Sequence, residues 1–237
     1  MRVRTLILLA VLLCPSCSIK EVRDSCPCRL EIDCSAFSKV ARNVYMDLDG
    51  RALERSVEDE RDMVSIFMVP KKEKLNVVVW CGAQGDSLYL FDAVVPGKEE
   101  TVKVSAIPHK QFASVLLKVL SADEGSVSFM VKSNFSGVDL KTGQALPGEL
   151  AIPLAGTGGN HVFRLPRQAT DSMLVLEAGY ENGVIQAYPL GEWIKMAGYD
   201  WTAADLDDIA VAADFAIGHY EVRIGEWDAG EASDQII

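Results

Sequence analysis

The chain has 237 residues, of which 49% are hydrophobic and 24% are charged. This composition is typical of a folded protein with a buried core and not of a disordered stalk, and the length allows one large β domain or two small ones. The formal net charge of -11 excludes a nucleic-acid-binding function, because phosphates require a basic surface.

The first 16 residues have the composition of an export signal. A basic start at residues 1–4 precedes an apolar run at 5–13. That run is shorter than the roughly 20 apolar residues that a transmembrane helix needs, so it predicts a cleaved signal and not a membrane span. We therefore predict a signal peptide at 1–16.

Two cysteines compete for the position after the cleavage site. Bacterial lipoprotein peptidases require a small residue before the acylated cysteine, and Ser16 precedes Cys17 whereas Leu13 precedes Cys14. We predict lipidation at Cys17, with residues 17–27 as a lipidated tether. No polybasic segment is present to bind anionic lipid, so acyl chains would provide the membrane contact. The alternative is an ordinary secretory signal with an unmodified cysteine.

Most of the remaining chain alternates between apolar and polar residues with the period of a β-strand. In its first part we predict an N-terminal β-sandwich at 28–136. Residues 41–62, which contain Asp49 and Gly50, break the pattern and predict a loop. Asp47 to Gly50 resembles the start of a calcium loop, but a plain Asp-Gly turn is the preferred interpretation, because the later acidic ligands are missing. The predicted strands are 29–37, 63–69, 75–80, 88–94, 101–107, 112–120 and 126–131.

The stretch at 137–159 is rich in glycine and proline and predicts a connection between domains, with one short strand at 150–154. A smaller C-terminal β-sandwich at 160–237 follows. Its predicted elements are strands at 161–165, 172–178, 184–188, 209–215 and 220–224, and a short helix at 189–196.

Catalytic and metal-binding patterns are weak. The three histidines, His109, His161 and His219, lack metal-ligand spacing to one another or to a Cys-x-x-Cys pair. The glycines at 156–159 lack the lysine and the strand-to-helix context of a phosphate loop. Asp205, Asp207 and Asp208 are interpreted as the acidic surface of a turn. We expect no enzyme activity, no metal and no cofactor.

One enzymatic alternative stays open, namely a hydrolase in which Cys81 and His109 form a nucleophile pair. Cys81 ends an apolar strand, where a thiol is usually inert. In an oxidising compartment, Cys81 could instead form a disulfide with Cys34 or Cys28. Cys28 and Cys34 cannot bridge each other if they lie about 20 Å apart along one strand. Free buried thiols are the equally weighted alternative.

Several motifs together resemble the FimB/Mfa2 family of fimbrial anchor proteins in Bacteroidetes. Their order and spacing along the chain carry the resemblance more than any single motif does. They are an Asp-Ser-Cys-Pro cluster at 24–27 soon after Cys17, a Val-Val-Val-Trp-Cys-Gly segment at 77–82, and C-terminal segments at 188–191, 205–209, 214–215 and 222–227.

This resemblance implies two tandem transthyretin-like β-sandwich domains in a lipoprotein of the outer membrane. Such a protein would anchor or terminate a donor-strand pilus, with a pilus (fimbrillin) subunit as its partner by strand addition. The C-terminal residues 228–237 are mostly small or acidic and are poor material for a donated strand, which favours an end-piece over a stalk repeat.

The resemblance also implies how an anchor should differ from a stalk subunit. In related stalk proteins, proteolysis after an arginine removes the first strand and opens a groove. Candidate sites here are Arg42, Arg51, Arg55 and Arg61. A cut after any of them would separate the body of the protein from its lipid, so we predict that the mature chain starts at Cys17 and stays uncut.

The alternative function is a surface adhesin, or a glycan- or peptide-binding lipoprotein, at a pilus tip. Trp193, Tyr199 and Trp201 could form its binding platform, or they could form the apolar lid of a small sandwich. Exposure of two or more of these rings on one surface would favour binding, and burial would favour a lid.

Overall fold

The structure of this protein is a computed structural model that describes residues 26–58, 63–82, 88–121, 127–155, 159–170 and 172–225. Within these ranges nearly all regular structure is β, which confirms the predicted all-β fold. The strands form four sheets that pack in two pairs, as the predicted pair of sandwiches requires.

The N-terminal sandwich contains the first eight strands. They are β1 (Cys28–Asp33), β2 (Asn43–Leu48), β3 (Arg51–Ser56), β4 (Val64–Val69), β5 (Lys74–Gly82), β6 (Leu88–Pro96), β7 (Thr101–Ser105) and β8 (His109–Lys110). One sheet has the order β4-β1-β7 and the other has the order β3-β2-β5-β6-β8. The strand β1 is therefore central in its sheet, antiparallel to β4 and parallel to β7.

The period-two pattern of these strands produces the N-terminal core. Alternate residues of β1, such as Leu30 and Ile32, are buried and pack against Val77 and Val79 of β5 in the opposite sheet. A buried Leu or Ile side chain contributes about 1.5–3 kcal/mol to folding, so this face holds the two sheets together.

The C-terminal sandwich contains the remaining strands and one short helix. They are β9 (Phe112–Ser121), β10 (Val127–Val138), β11 (Ala145–Leu154), β12 (Gly159–Pro166), β13 (Val175–Tyr180), β14 (Ile185–Tyr188), α1 (Leu190–Met196), β15 (Ile209–Asp214) and β16 (His219–Ile224). The two sheets have the orders β11-β10-β13-β14 and β12-β9-β15-β16. The strands and helix predicted for this part at 161–224 agree with these bounds to within a few residues.

Two predictions near the N-terminus differ from the structure. The predicted strand at 29–37 stops at Asp33, and Ser35–Lys39 forms a 3₁₀ helix that buries Phe37. The predicted loop at 41–62 instead contains the hairpin of β2 and β3. Asp49 and Gly50 turn this hairpin with positive φ angles of 53° and 88°. This is the conformation that an Asp-Gly hairpin turn favours, as the plain-turn interpretation expected.

The boundary between the sandwiches also differs from the predicted connection at 137–159. The strand β10 pairs with β11 and β13, and β9 pairs with β12 and β15. The strands β9 and β10 therefore belong to the C-terminal sandwich, and 145–154 is another of its strands. The change of sheet falls at Gln111, between β8 and β9. In the described part of this stretch, the glycines and prolines at 137–153 belong to the end of β10, the following turn and the edge strand β11, and not to a linker.

Candidate functional site

The joint between the two sandwiches is built around a buried arginine. The Arg167 side chain donates hydrogen bonds from Nε to Gln111 Oε1 at 3.1 Å and from Nη2 to the Ala204 carbonyl at 3.2 Å. Its Nη1 donates to the carbonyl of Trp201. Burial lowers the pKa of this guanidinium, which nevertheless stays charged in proteins. Arg167 therefore fixes the loop at 201–204 to the residue where the chain passes from one domain to the other.

Two aspartates predicted as a turn surface also belong to this joint. Asp205 accepts hydrogen bonds from His109 Nδ1 at 3.0 Å and from the Lys110 backbone N–H at 2.7 Å. Asp208 accepts from Lys110 Nζ and from the Ser114 backbone N–H. Burial alone would raise the pKa of Asp205, but the hydrogen bonds from His109 and Lys110 lower it overall. These carboxylates therefore tie the last strand of the N-terminal sheet to the C-terminal domain.

Apolar contacts complete the joint. Val78 and Leu90 lie on the outer face of the β5–β6 pair, and they pack against Val138 at the end of β10. Leu90 also lies against Gly143, whose φ is +64° and where a Cβ would meet the leucine Cδ2 at 3.5 Å. A cavity of about 530 Å³ remains between the domains, with residues of both in its wall. The two sandwiches are thus joined by polar and apolar contacts on either side of a cleft.

The aromatic residues proposed as a binding platform are buried. Trp193, Tyr199 and Trp201 are each less than one-tenth exposed and belong to the C-terminal core. Trp193 of α1 stacks on Tyr220 of β16 with ring centres 4.4 Å apart, and it also contacts Tyr188 of β14. The platform interpretation is therefore wrong. These rings form the lid of the sandwich, which was the other interpretation considered.

The cysteines of the N-terminal core are free thiols in the structure. Cys28, Cys34 and Cys81 are buried in one apolar cluster, whereas Cys26 is exposed. Burial raises the pKa of Cys34 to about 12 and that of Cys81 to about 11. Such thiols are poor nucleophiles. The structure holds no bond between Cys81 and either Cys34 or Cys28 and so has the free-thiol arrangement, while the disulfide stays a prediction for the protein in the cell.

The Cys81–His109 pair is not assembled. Leu90 of β6 pairs with Trp80 and with His109, whereas Tyr89 pairs with Cys81. Since side chains alternate between faces, Cys81 faces the core and His109 belongs to the opposite face of the sheet, where it binds Asp205. His161 is buried near Phe129, and burial lowers its pKa. No group of three potential metal ligands occurs among the residues described.

Among the described strands, β4 forms an edge of the N-terminal sandwich and pairs only with β1. The side chains of Val64, Ile66 and Met68 alternate along it and are 46%, 53% and 63% exposed. Beside it lies the polar edge strand β3, and the two strands border a groove of about 400 Å³. The guanidinium carbon of Arg55 lies 5.9 Å from the Phe67 ring centre in this groove.

Several predicted features lie outside the described residues. They include the signal peptide at 1–16, the lipidation site Cys17, Arg61 and the C-terminal end at 228–237. No helix in the described part of the chain is both long and apolar enough to span a bilayer.

Sequence reasoning did not find the polar centre of the joint. Gln111 and Arg167 are 56 positions apart, and neither belongs to a recognisable motif. The only signal was the pair of aspartates at 205 and 208, which lie just before a predicted strand. Their partners His109 and Lys110 could not be assigned without the topology.

Comparison with known proteins shows which solved structures share this fold. No known protein-family profile matches the sequence, and no curated protein matches it. Among solved structures, a candidate polysaccharide-binding protein from Bacteroides thetaiotaomicron aligns over 86% of this chain and 99% of that chain, with a TM-score of 0.61 and 9% identity. A candidate adhesin from the same organism aligns over 85% and 97%, with a TM-score of 0.53 and 11% identity.

The fimbrial anchor protein Mfa2 from Porphyromonas gingivalis aligns over 85% of this chain and 98% of that chain. The TM-score is 0.59 and the identity is 13%, so the likeness concerns the fold. The chain therefore has the two-domain fold of the fimbrial anchor protein Mfa2, as its resemblance to the FimB/Mfa2 family predicted.

Proposed function

We propose that this protein is an outer-membrane lipoprotein that anchors or terminates a donor-strand pilus. In this proposal acyl chains on Cys17 hold it in the membrane, and one pilus subunit binds it by strand addition. The observation that carries the proposal is the fold shared with Mfa2 over 98% of that chain. The lipoprotein-type signal before the first sandwich supports the membrane part.

The position of β1 supports an anchor over a stalk subunit. Its residues Leu30 and Ile32 fill the N-terminal core, and the strand pairs on both sides. Arg42, Arg51 and Arg55 follow it in the chain and lie at or in the β2–β3 hairpin. Cleavage after any of them would break the covalent link between the lipid and the body and leave only the noncovalent contacts of β1, so an anchor requires the uncut chain.

The role we propose is structural and involves no catalysis, metal or cofactor. The buried thiols fit this proposal, because burial raises the pKa of Cys34 and Cys81 and such thiols are poor nucleophiles. The adhesin alternative loses its aromatic platform. It keeps two supports. One is the cleft of about 530 Å³ between the domains, since ligands often bind at domain interfaces. The other is the fold shared with a candidate polysaccharide-binding protein and a candidate adhesin.

Membrane fractionation of the full chain in its own bacterium tests the anchor. We expect Cys17→Ser to lose acylation and leave the membrane fraction, while the matched variant Cys14→Ser is processed and retained normally. A pilus subunit identified by mass spectrometry should co-purify with the wild type. Retention of a correctly processed Cys17→Ser protein, or mature protein that begins after one of the arginines, would contradict the proposal.

A further inference from the structure

The edge strand β4 has an unusual composition for an exposed sheet edge. Its six residues, Val64–Val69, include no charged residue and no proline. Soluble proteins normally protect such edges with charges, prolines or bulges, because an unprotected edge pairs with other strands. An edge without these devices is suited to receive a strand.

The backbone N–H and C=O groups of Val64, Ile66 and Met68 face away from β1. The Cys34 N–H donates to the Met63 carbonyl at 2.7 Å, directly across from it in the antiparallel register. Because hydrogen bonding alternates along an antiparallel pair, Ser65 and Phe67 bond toward β1. The N–H and C=O groups of the alternate residues, including Ile66, therefore face the free edge. An added strand could therefore form backbone hydrogen bonds with the residues that also expose an apolar row of side chains, Val64, Ile66 and Met68.

The surroundings of this row are polar. On the same face of the sheet, Arg29 and Lys103 form ion pairs with Glu31, at 2.8 and 3.3 Å. The opposite edge strand β7 exposes Thr101, Lys103 and Ser105. The apolar row is thus confined to β4 and is not part of a generally apolar face.

Other edges in the described part of the chain are less suited to strand addition. The edge strand β11 contains Pro147 and Pro153, which cannot donate hydrogen bonds. The strand β16 alternates with Glu221 and Arg223, and β3 carries Glu54 beside its arginines. Of the edges described, β4 alone has no charged residue and exposes three apolar side chains at every second position, namely those of Val64, Ile66 and Met68.

We propose that the β4 edge is the docking surface for one extended strand of the pilus subunit, an inference that rests on the function proposed above. One row of the incoming strand carries apolar side chains that pack beside Val64, Ile66 and Met68. Its other row faces the groove between β3 and β4, where Arg55 favours an acidic or hydroxyl-bearing side chain. This is β-augmentation, with backbone bonds supplying affinity and alternate side chains supplying specificity.

Lysine substitution tests the surface in the full-length lipoprotein, with the pilus subunit that co-purifies with the wild type as the probe. We expect Ile66→Lys to lower recovery of that subunit about tenfold or more, because an edge lysine opposes strand addition. The matched control is Val94→Lys, at a residue 62% exposed on β6 of the other sheet, which should leave recovery unchanged. Unchanged recovery with Ile66→Lys would overturn the β4 assignment.

Photo-crosslinking in cells gives a second measurement that does not depend on the folding of a lysine variant. A photoreactive residue at Met68 should form an adduct with the pilus subunit, and one at position 94 should not. An adduct with a second copy of this chain, or none at Met68, would overturn the inference. If no subunit co-purifies even with the wild type, the proposed function fails as well; loss of only the β4 effect leaves that function standing.

Discussion

In the C-terminal sandwich, the gap between the edge strands β14 and β16 is covered. Trp193 of α1 stacks on Tyr220 and contacts Tyr188, so the helix joins both sheet edges. In the N-terminal sandwich, the gap between β3 and β4 has Arg55 over Phe67 and no covering helix among the described residues. One domain thus closes this gap with a large apolar residue, whereas in the described part of the other domain the gap stays uncovered, and the proposed strand docking depends on that difference.

The largest expected effect comes from opening the closed domain. Trp193→Ala should lower the free energy of unfolding by about 3–5 kcal/mol, because it removes a buried indole between two edge strands. Chemical denaturation measures this. The control Met196→Ala changes an exposed residue of the same helix and should cost less than about 0.5 kcal/mol. Equal effects of the two variants would show that α1 does not close the sandwich.

The joint between the domains provides the next test. Arg167→Met should cost about 2–4 kcal/mol, because Gln111 Oε1 and two backbone carbonyls lose their donor in a buried place. We also expect the wild type to unfold in one transition and Arg167→Met to unfold in two, since the sandwiches of the variant lose a shared contact. Arg164→Met, at a half-buried residue of β12, is the control. A single unshifted transition in Arg167→Met would contradict the proposed coupling.

The cysteines sharpen the description of the N-terminal core. If the thiols are free, maleimide should label the exposed Cys26 of the folded, reduced protein. It should leave Cys28, Cys34 and Cys81 unlabelled until denaturant is added. Cys81→Ala should cost about 1–2 kcal/mol as a small cavity in the core. Mass spectrometry of protein isolated without reductant decides between free thiols and a disulfide in the cell.

The smallest expected effect depends on pH. The pKa of Asp205 is lowered in the folded protein, so its ionised form stabilises the fold above the unfolded pKa of about 4. That contribution is lost as the pH falls through the folded pKa. Asp205→Asn should therefore destabilise by less than about 1 kcal/mol near pH 7, since the carboxylate is largely exposed, and the difference from wild type should vanish in acid. A difference that grows on acidification would be inconsistent with this role.

The fold was largely predictable, because period-two patterns identify strands wherever one face is buried. The predictions failed where local chemistry competes with the pattern. The alternation of apolar residues in β1 continues through Cys34 and Ala36, so the sequence predicts one strand although Ser35–Lys39 forms a 3₁₀ helix. The hairpin of β2 and β3 was missed because β3 is mostly exposed and charged.

The candidate sites were less predictable than the fold, because they depend on which strands become neighbours. Exposure of Ile66 follows from its position on an edge strand, and burial of Trp193 follows from the packing of its own helix against two edge strands. Neither follows from residue type. The Arg167–Gln111 contact likewise depends on the fold, which brings together two residues 56 positions apart in the sequence, and no short motif indicates this.

The central position of β1 has a mechanical consequence. If the chain is held at its N-terminus and a filament is pulled outward, the load enters at Cys28 and runs along the axis of β1. Hydrogen bonds to β4 and β7 lie across that axis on both sides, so they resist in shear and share the load together. Peeling them one at a time would require a pull from a different direction. In that loading geometry, β1 is the strand placed to withstand tension.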